Sequence, residues 1–131
     1  MLQFIHDETM STPRGFSHGV LARGTGTLYI AGQIALDRND NVVAPRDIVG
    51  QFAAAISNFS NVLKASNVLP NHVVKITIFV KDMPEYLKHS RKIGELYRTV
   101  FGKHYPAMTM VQIERLVRDE CLIEIEGIAV I

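Results

Sequence analysis

The middle third of the chain changes its periodicity twice, and that constrains the fold more than any other feature. From Ile48 to about Ala65, Phe52, Ile56, Phe59 and Leu63 recur at helical spacing, with Ser57, Asn58, Asn61 and Lys64 on the other faces. Asn67 and Pro70 end that pattern. Val73–Val80 (VVKITIFV) then alternates and is β-branched almost throughout, which reads as a strand. Asp82 caps a second helix with Pro84 in its first turn; Tyr86, Ile93, Leu96, Tyr97, Val100 and Phe101 supply its buried side and Gly102 its end. A strand held between two amphipathic helices needs a sheet to lie in and one sheet face for the helices to cover.

The flanking segments supply that sheet. Leu2–Ile5 reads as a first strand, Ser11-Thr12-Pro13-Arg14-Gly15 as a loop, and Phe16–Arg23 as a second strand. Gly24-Thr25-Gly26 is a tight turn into a third strand, Thr27–Ile34, so strands two and three are expected to form a hairpin. Gly32 inside that third strand marks a bulge or a close approach of another group. Near the C-terminus, Pro106 disfavours helix at Tyr105 and opens a strand. Leu122–Val130 is expected to face it across the polar segment Glu114–Glu120 as a second hairpin. The order β-β-β-α-β-α-β-β describes a single α+β domain over residues 1–131, a mixed sheet with two helices on one face. Apolar residues on both alternating sets of several strands leave the other face to be buried against another copy of the chain.

Composition narrows the function classes. A formal net charge of +1 on 131 residues gives no electrostatic case for nucleic acid or an anionic membrane. No apolar run is long enough to span a bilayer, and the first eight residues are acidic where an export signal would be basic. The lone cysteine, Cys121, rules out an internal disulfide and fits a reducing cytoplasm. The five histidines show no metal-binding spacing, no serine sits in a nucleophile elbow, and no glycine cluster forms a phosphate loop, so neither metal nor cofactor is expected. On the last strand, Glu124 and Glu126 share one side of an otherwise apolar run; they face either water or a site.

Ala31-Gly32-Gln33-Ile34, Ile78-Phe79-Val80-Lys81-Asp82, Tyr105-Pro106-Ala107, Arg115-Leu116 and Ile123-Glu124-Ile125-Glu126-Gly127-Ile128-Ala129-Val130 together resemble the RidA family, also called YjgF and in part labelled L-PSP endoribonucleases. The resemblance runs nearly end to end. It implies a chorismate-mutase-like sandwich, a homotrimer, and small-molecule clefts between subunits. Active members are deaminases that hydrolyse imines and enamines such as 2-aminoacrylate, without cofactor or metal. In those members an arginine that grips the substrate carboxylate follows the Pro-Ala pair; here that position is Met108. By the same resemblance Phe16, Met108, Thr109 and Met110 line the cleft, Phe16 standing where active enzymes carry a tyrosine; backbone groups around Gly32 and Ala107 would hold a carbonyl or carboxylate, and Ser17 joins them as a polar residue near the same strands. Glu124 matches the carboxylate that positions the attacking water.

Met108 cannot pair with a carboxylate, so the usual activity on 2-aminoacrylate is not expected. Met108, Met110 and Phe16 make the cleft apolar and adaptable. Arg14 and Arg115 are the candidates to supply the missing cation, against the alternative that each is an ordinary surface arginine. His18 is weighed as a functional residue against a packed or exposed one. Two functions remain: an imine or enamine deaminase for a substrate larger or less anionic than 2-aminoacrylate, and a non-catalytic trimer that binds a small metabolite. RNA cleavage is disfavoured by the absence of a basic stripe.

Overall fold

The last strand of the chain lies inside the sheet. The computed structural model describes residues 1–131. Its strands are β1 Leu2–Ile5, β2 Gly19–Ala22, β3 Thr27–Gln33, β4 Val73–Val80, β5 Ala107–Gln112 and β6 Ile123–Val130, and its helices α1 Ile48–Ala65, α2 Met83–Lys88 and α3 Ser90–Phe101. Four strands pair in the order β3-β6-β4-β5, while β1 and β2 form a separate two-stranded ribbon. β6 is antiparallel to both its neighbours, and β5 runs parallel to β4 at the sheet edge.

Neither expected hairpin forms. β2 pairs with β1 rather than β3. β5 and β6 do not touch as a ladder, because β4 stands between them. In each case strand identity was readable and the partner was not: both faces of β6 carry apolar residues, which suits a central position better than a hairpin edge. The second helix is also divided. His89, at φ −105° and ψ 17°, ends α2 and precedes α3. Asp82 caps α2 as expected, its carboxylate accepting from the Glu85 N–H at 3.0 Å, and Asp47 caps α1 by accepting from the Gly50 N–H, also at 3.0 Å.

Register decides which residues face the helices. Ile76 and Ile78 of β4 pair with Met108 and Met110 of β5 and with Gly127 and Ile125 of β6. All of these lie on the helix side, where Phe52 and Phe59 of α1, Tyr86 of α2, and Ile93, Tyr97 and Phe101 of α3 complete one core cluster. The other side carries Tyr29, Lys75, Thr77, Phe79, Thr109, Val111, Glu124, Glu126 and Ile128, since Phe79 pairs with Glu124, Thr77 with Glu126 and Tyr29 with Ile128. Ile128 therefore falls beside the two glutamates rather than opposite them. Tyr29 is 75% exposed and Val111 38% exposed on this uncovered face.

Helix α1 reaches the sheet only because position 127 lacks a side chain. A Cβ there would lie 2.7 Å from Phe59 Cζ and 2.8 Å from the Lys75 carbonyl oxygen. Gly127→Ala should therefore lower unfolding free energy by about 1–3 kcal/mol. Gly19→Ala, whose Cβ would meet only Ile5 Cβ at 3.8 Å, should change it by less than about 0.5 kcal/mol. Urea denaturation of the two variants beside the parent chain measures both.

Candidate functional site

A cavity of about 550 Å³ opens between the edge strand β5 and helix α3. Met108 and Met110 form its floor together with Ile78, as their shared helix-side register requires. Phe16 closes one side from the loop before β2, and Tyr86, Tyr97 and Tyr105 supply aromatic walls. Tyr97 stacks on Tyr105 with ring centroids 5.9 Å apart and planes 8° from parallel, and on Phe101 at 4.7 Å. The Tyr97 hydroxyl donates to the His104 carbonyl at 2.7 Å, so this ring is fixed in place. Burial pushes the Tyr86 phenol up to about 12, leaving it neutral at physiological pH. The volume is in the range of small-molecule sites.

The polar groups of the cavity are unusual for so apolar a wall. Arg14 and Arg98 both line it, neither makes an ion pair, and no aspartate, glutamate or histidine lines it. Of the two arginines weighed from the sequence, Arg14 is thus at the cavity. Arg115 is not: its Nε donates to the Leu116 carbonyl at 3.1 Å. Arg98 was missed by sequence reasoning. The available signal was its spacing from Gly94, four residues back on the same face of α3.

The other predicted site residues lie elsewhere. Ser17 is 3% exposed, and its side chain holds the loop onto β5. Its N–H donates to the Pro106 carbonyl at 3.0 Å and its hydroxyl to the Tyr105 carbonyl at 2.7 Å. With its proton so used, Ser17 Oγ accepts from His6 Nε2 at 3.1 Å, the reverse of an activated nucleophile. His18 accepts from the Asp7 N–H through Nδ1 at 3.0 Å, and its Nε2 lies 2.9 Å from the Ser11 carbonyl, so both ring nitrogens brace the N-terminal loop. Ala107 begins β5, bridged to Ser17. Thr109 projects to the open face and accepts from Lys75 Nζ at 2.7 Å.

Glu124 and Gly32 meet on that open face. A Cβ on residue 32 would overlap the Glu124 carboxylate, lying 2.6 Å from its Cδ, so the glycine in β3 is what admits this acid beside the strand. The carboxylate accepts no hydrogen bond and makes no ion pair, and burial, helped by the neighbouring Glu126 charge, raises its pKa. Within one protomer Glu124 and the Met108 cavity are on opposite sides of the sheet. Cys121 is fully buried and its thiol is pushed up by that burial, as suits an inert packed cysteine.

The family profile described as endoribonuclease L-PSP matches residues 8–131. The chain belongs to the RidA/YjgF family. It is 35% identical over 130 residues to a RutC family protein of Pyrococcus horikoshii, covering 98% of each chain. It is also 35% identical over 104 residues to the 2-iminobutanoate/2-iminopropanoate deaminase of Mus musculus, covering 79% of this chain and 73% of that one. Among solved structures, a Rid-family protein of unknown function from Yersinia pestis superposes with a TM-score of 0.88 at 30% identity, covering 99% and 98% of the two chains. The α+β fold with its mixed sheet is the one shared by this RidA/YjgF group.

A raised carboxylate pKa makes the ionised acid a cost to the folded state. Below the ordinary value of 4.5 Glu124 is protonated whether the chain is folded or not, and the cost is absent. It grows as pH rises from there through the raised folded-state value and then stays constant. Glu124→Gln should accordingly raise Tm at neutral pH, with the gain shrinking to nothing as pH falls below 4.5. Thermal melts of both proteins across that pH range measure it.

Proposed function

We propose that this chain acts as a homotrimer that hydrolyses an imine or enamine metabolite bound in clefts between subunits, with a substrate range shifted away from the smallest amino-acid-derived imines. The observation that carries this reading is the placement of Glu124: an underhydrated, unpaired carboxylate of raised pKa on an uncovered sheet face. A second copy docked on that face would cover Tyr29, Phe79 and Ile128. It could bring one protomer's Glu124 towards the cavity at another's edge strand β5. In that arrangement Glu124 takes a proton from water as the water oxygen adds to the imine carbon. That proton passes to nitrogen to give a carbinolamine; Glu124 then takes the carbinolamine's hydroxyl proton and hands it to the same nitrogen as the C–N bond breaks, leaving a carbonyl and ammonia. Met108 removes the cation that would grip a small substrate at the strand.

The second reading, a binding trimer without chemistry, is favoured by one feature: no carboxylate or histidine lines the cavity of a single protomer. Sedimentation analysis first checks assembly; a monomer at micromolar concentration would end both readings. Imines generated in situ by an amino-acid oxidase from alanine, leucine, methionine and phenylalanine then separate them. The deaminase reading expects accelerated ammonia release from the larger imines, little from the alanine product 2-iminopropanoate, and a loss of about 100-fold or more in Glu124→Gln. Met108→Arg should improve the alanine product. Fast wild-type turnover of 2-iminopropanoate would show that position 108 does not limit the chemistry, while saturable binding with no turnover of any imine would favour the second reading.

A further inference from the structure

Opposite the methionine floor on β5, the same cavity carries a cation on its helix wall. Position 98 lies in the last turn of α3, and its guanidinium rests over Gly94: a Cβ added to that glycine would sit 3.3 Å from Arg98 Nη1. A larger residue at 94 would lift the guanidinium away from the helix surface, whereas glycine lets it lie along the cavity wall. Arg14 approaches from the loop that ends in Phe16. Both guanidiniums lack a carboxylate partner, so the cavity presents two uncompensated positive charges above an apolar floor. An unpaired arginine at a largely apolar wall is a ready acceptor site for a carboxylate, which it can hold bidentately.

The floor and walls specify the rest of the molecule. Met108 and Met110 are flexible, polarisable side chains that adapt to a ring or branched chain. Tyr97 and Tyr105 present stacked faces, while the hydroxyls of Tyr86 and Tyr105 make no hydrogen bond within the protein. A ligand matching this lining has one anionic head and one flat apolar body.

We infer that the cavity binds apolar, preferentially aromatic, monocarboxylic acids, with the carboxylate held by Arg98 and Arg14 from the helix side and the ring seated on Met108 and Met110. This rests on the reading of the cavity as a metabolite site, and it adds to that reading the class of metabolite and the residues that select it. The head group is turned end for end relative to a ligand held by a cation on the strand, so that strand position 108 contacts the body of the molecule rather than its charge.

The probes are 3-phenylpropanoate and its neutral isostere 3-phenylpropanamide, titrated calorimetrically into the purified protein. The acid should bind about tenfold or more tightly than the amide, as expected when a charge-assisted contact replaces a neutral one. Arg98→Gln should remove part of the acid's advantage, with Arg98→Lys recovering some of it, and the Arg98→Gln, Arg14→Gln double variant should bring the acid down to the level of the amide, none of them altering amide affinity. Arg98 and Arg14 are exposed side chains, so these variants keep the fold, which circular dichroism verifies. Acid and amide binding equally well would overturn the assignment of the arginines while leaving the cavity a metabolite site. Neither probe binding would overturn both. Acid preference surviving in the Arg98→Gln, Arg14→Gln double variant would place the carboxylate elsewhere and equally sink the inference.

Discussion

The antiparallel pairing of β6 with both β3 and β4 fixes nearly everything else in this molecule. A central strand is covered on both edges, so its side chains can differ between faces only by alternation, and a shift of one residue would exchange the two sets. In the observed register Ile123, Ile125, Gly127 and Ala129 go to the helices and Glu124, Glu126 and Ile128 to the open side. Gly127 then becomes the point at which Phe59 of α1 can approach the backbone, and Gly32 the point at which β3 makes room for Glu124. Two glycines on two strands thus tie the packing of the core and the exposure of an acid to a single register.

The first long helix and the strand after it were legible in the sequence nearly to the residue. Ile48–Ala65 and Val73–Val80 have the predicted limits because each is bounded by a cap, a proline or a change of period. Strand pairing was not legible, for a physical reason. A glycine-rich turn such as Gly24-Thr25-Gly26 reports that the chain reverses, not which ladder its flanks join. Here the Gly24–Gly26 backbone is engaged by the C-terminus instead: the Thr25 and Gly26 N–H groups donate to the Ile131 carbonyl at 2.6 and 3.1 Å. Likewise nothing local marks His89 as a break, since Tyr86, Ile93 and Tyr97 keep their buried positions on either side of it.

The site was partly legible. Position matching brought out Phe16, Met108 and Met110, which do meet around one cavity, and Glu124 with Gly32, which meet on the other face. Thr109 was grouped with them by the same position matching, and Ser17 by its nearness to the same strands. A strand alternates, so Thr109 points away from both of its methionine neighbours, and Ser17 is spent on the Tyr105 carbonyl. Arg98 could not be found by strand logic because it comes from a helix whose other residues read simply as core and surface.

The separation of faces bears on how such a chain diverges. On one side of the sheet lie the groups that line the cavity; on the other lies Glu124, a carboxylate whose pKa is raised by burial. Side chains on opposite faces of a sheet do not share a solvation environment, so a change at position 108 alters the cavity without removing any contact Glu124 makes within its own protomer. Were acid and cation neighbours in one protomer, losing the cation would directly change the carboxylate's ionisation as well as the ligand's grip. Here the raised pKa of Glu124 has local causes, burial and Glu126, and neither depends on position 108. In the proposed function, what the cavity binds and how the carboxylate ionises therefore answer to different parts of the fold: β5, α3 and the Arg14 loop line the first, and the central β6 beside Gly32 carries the second.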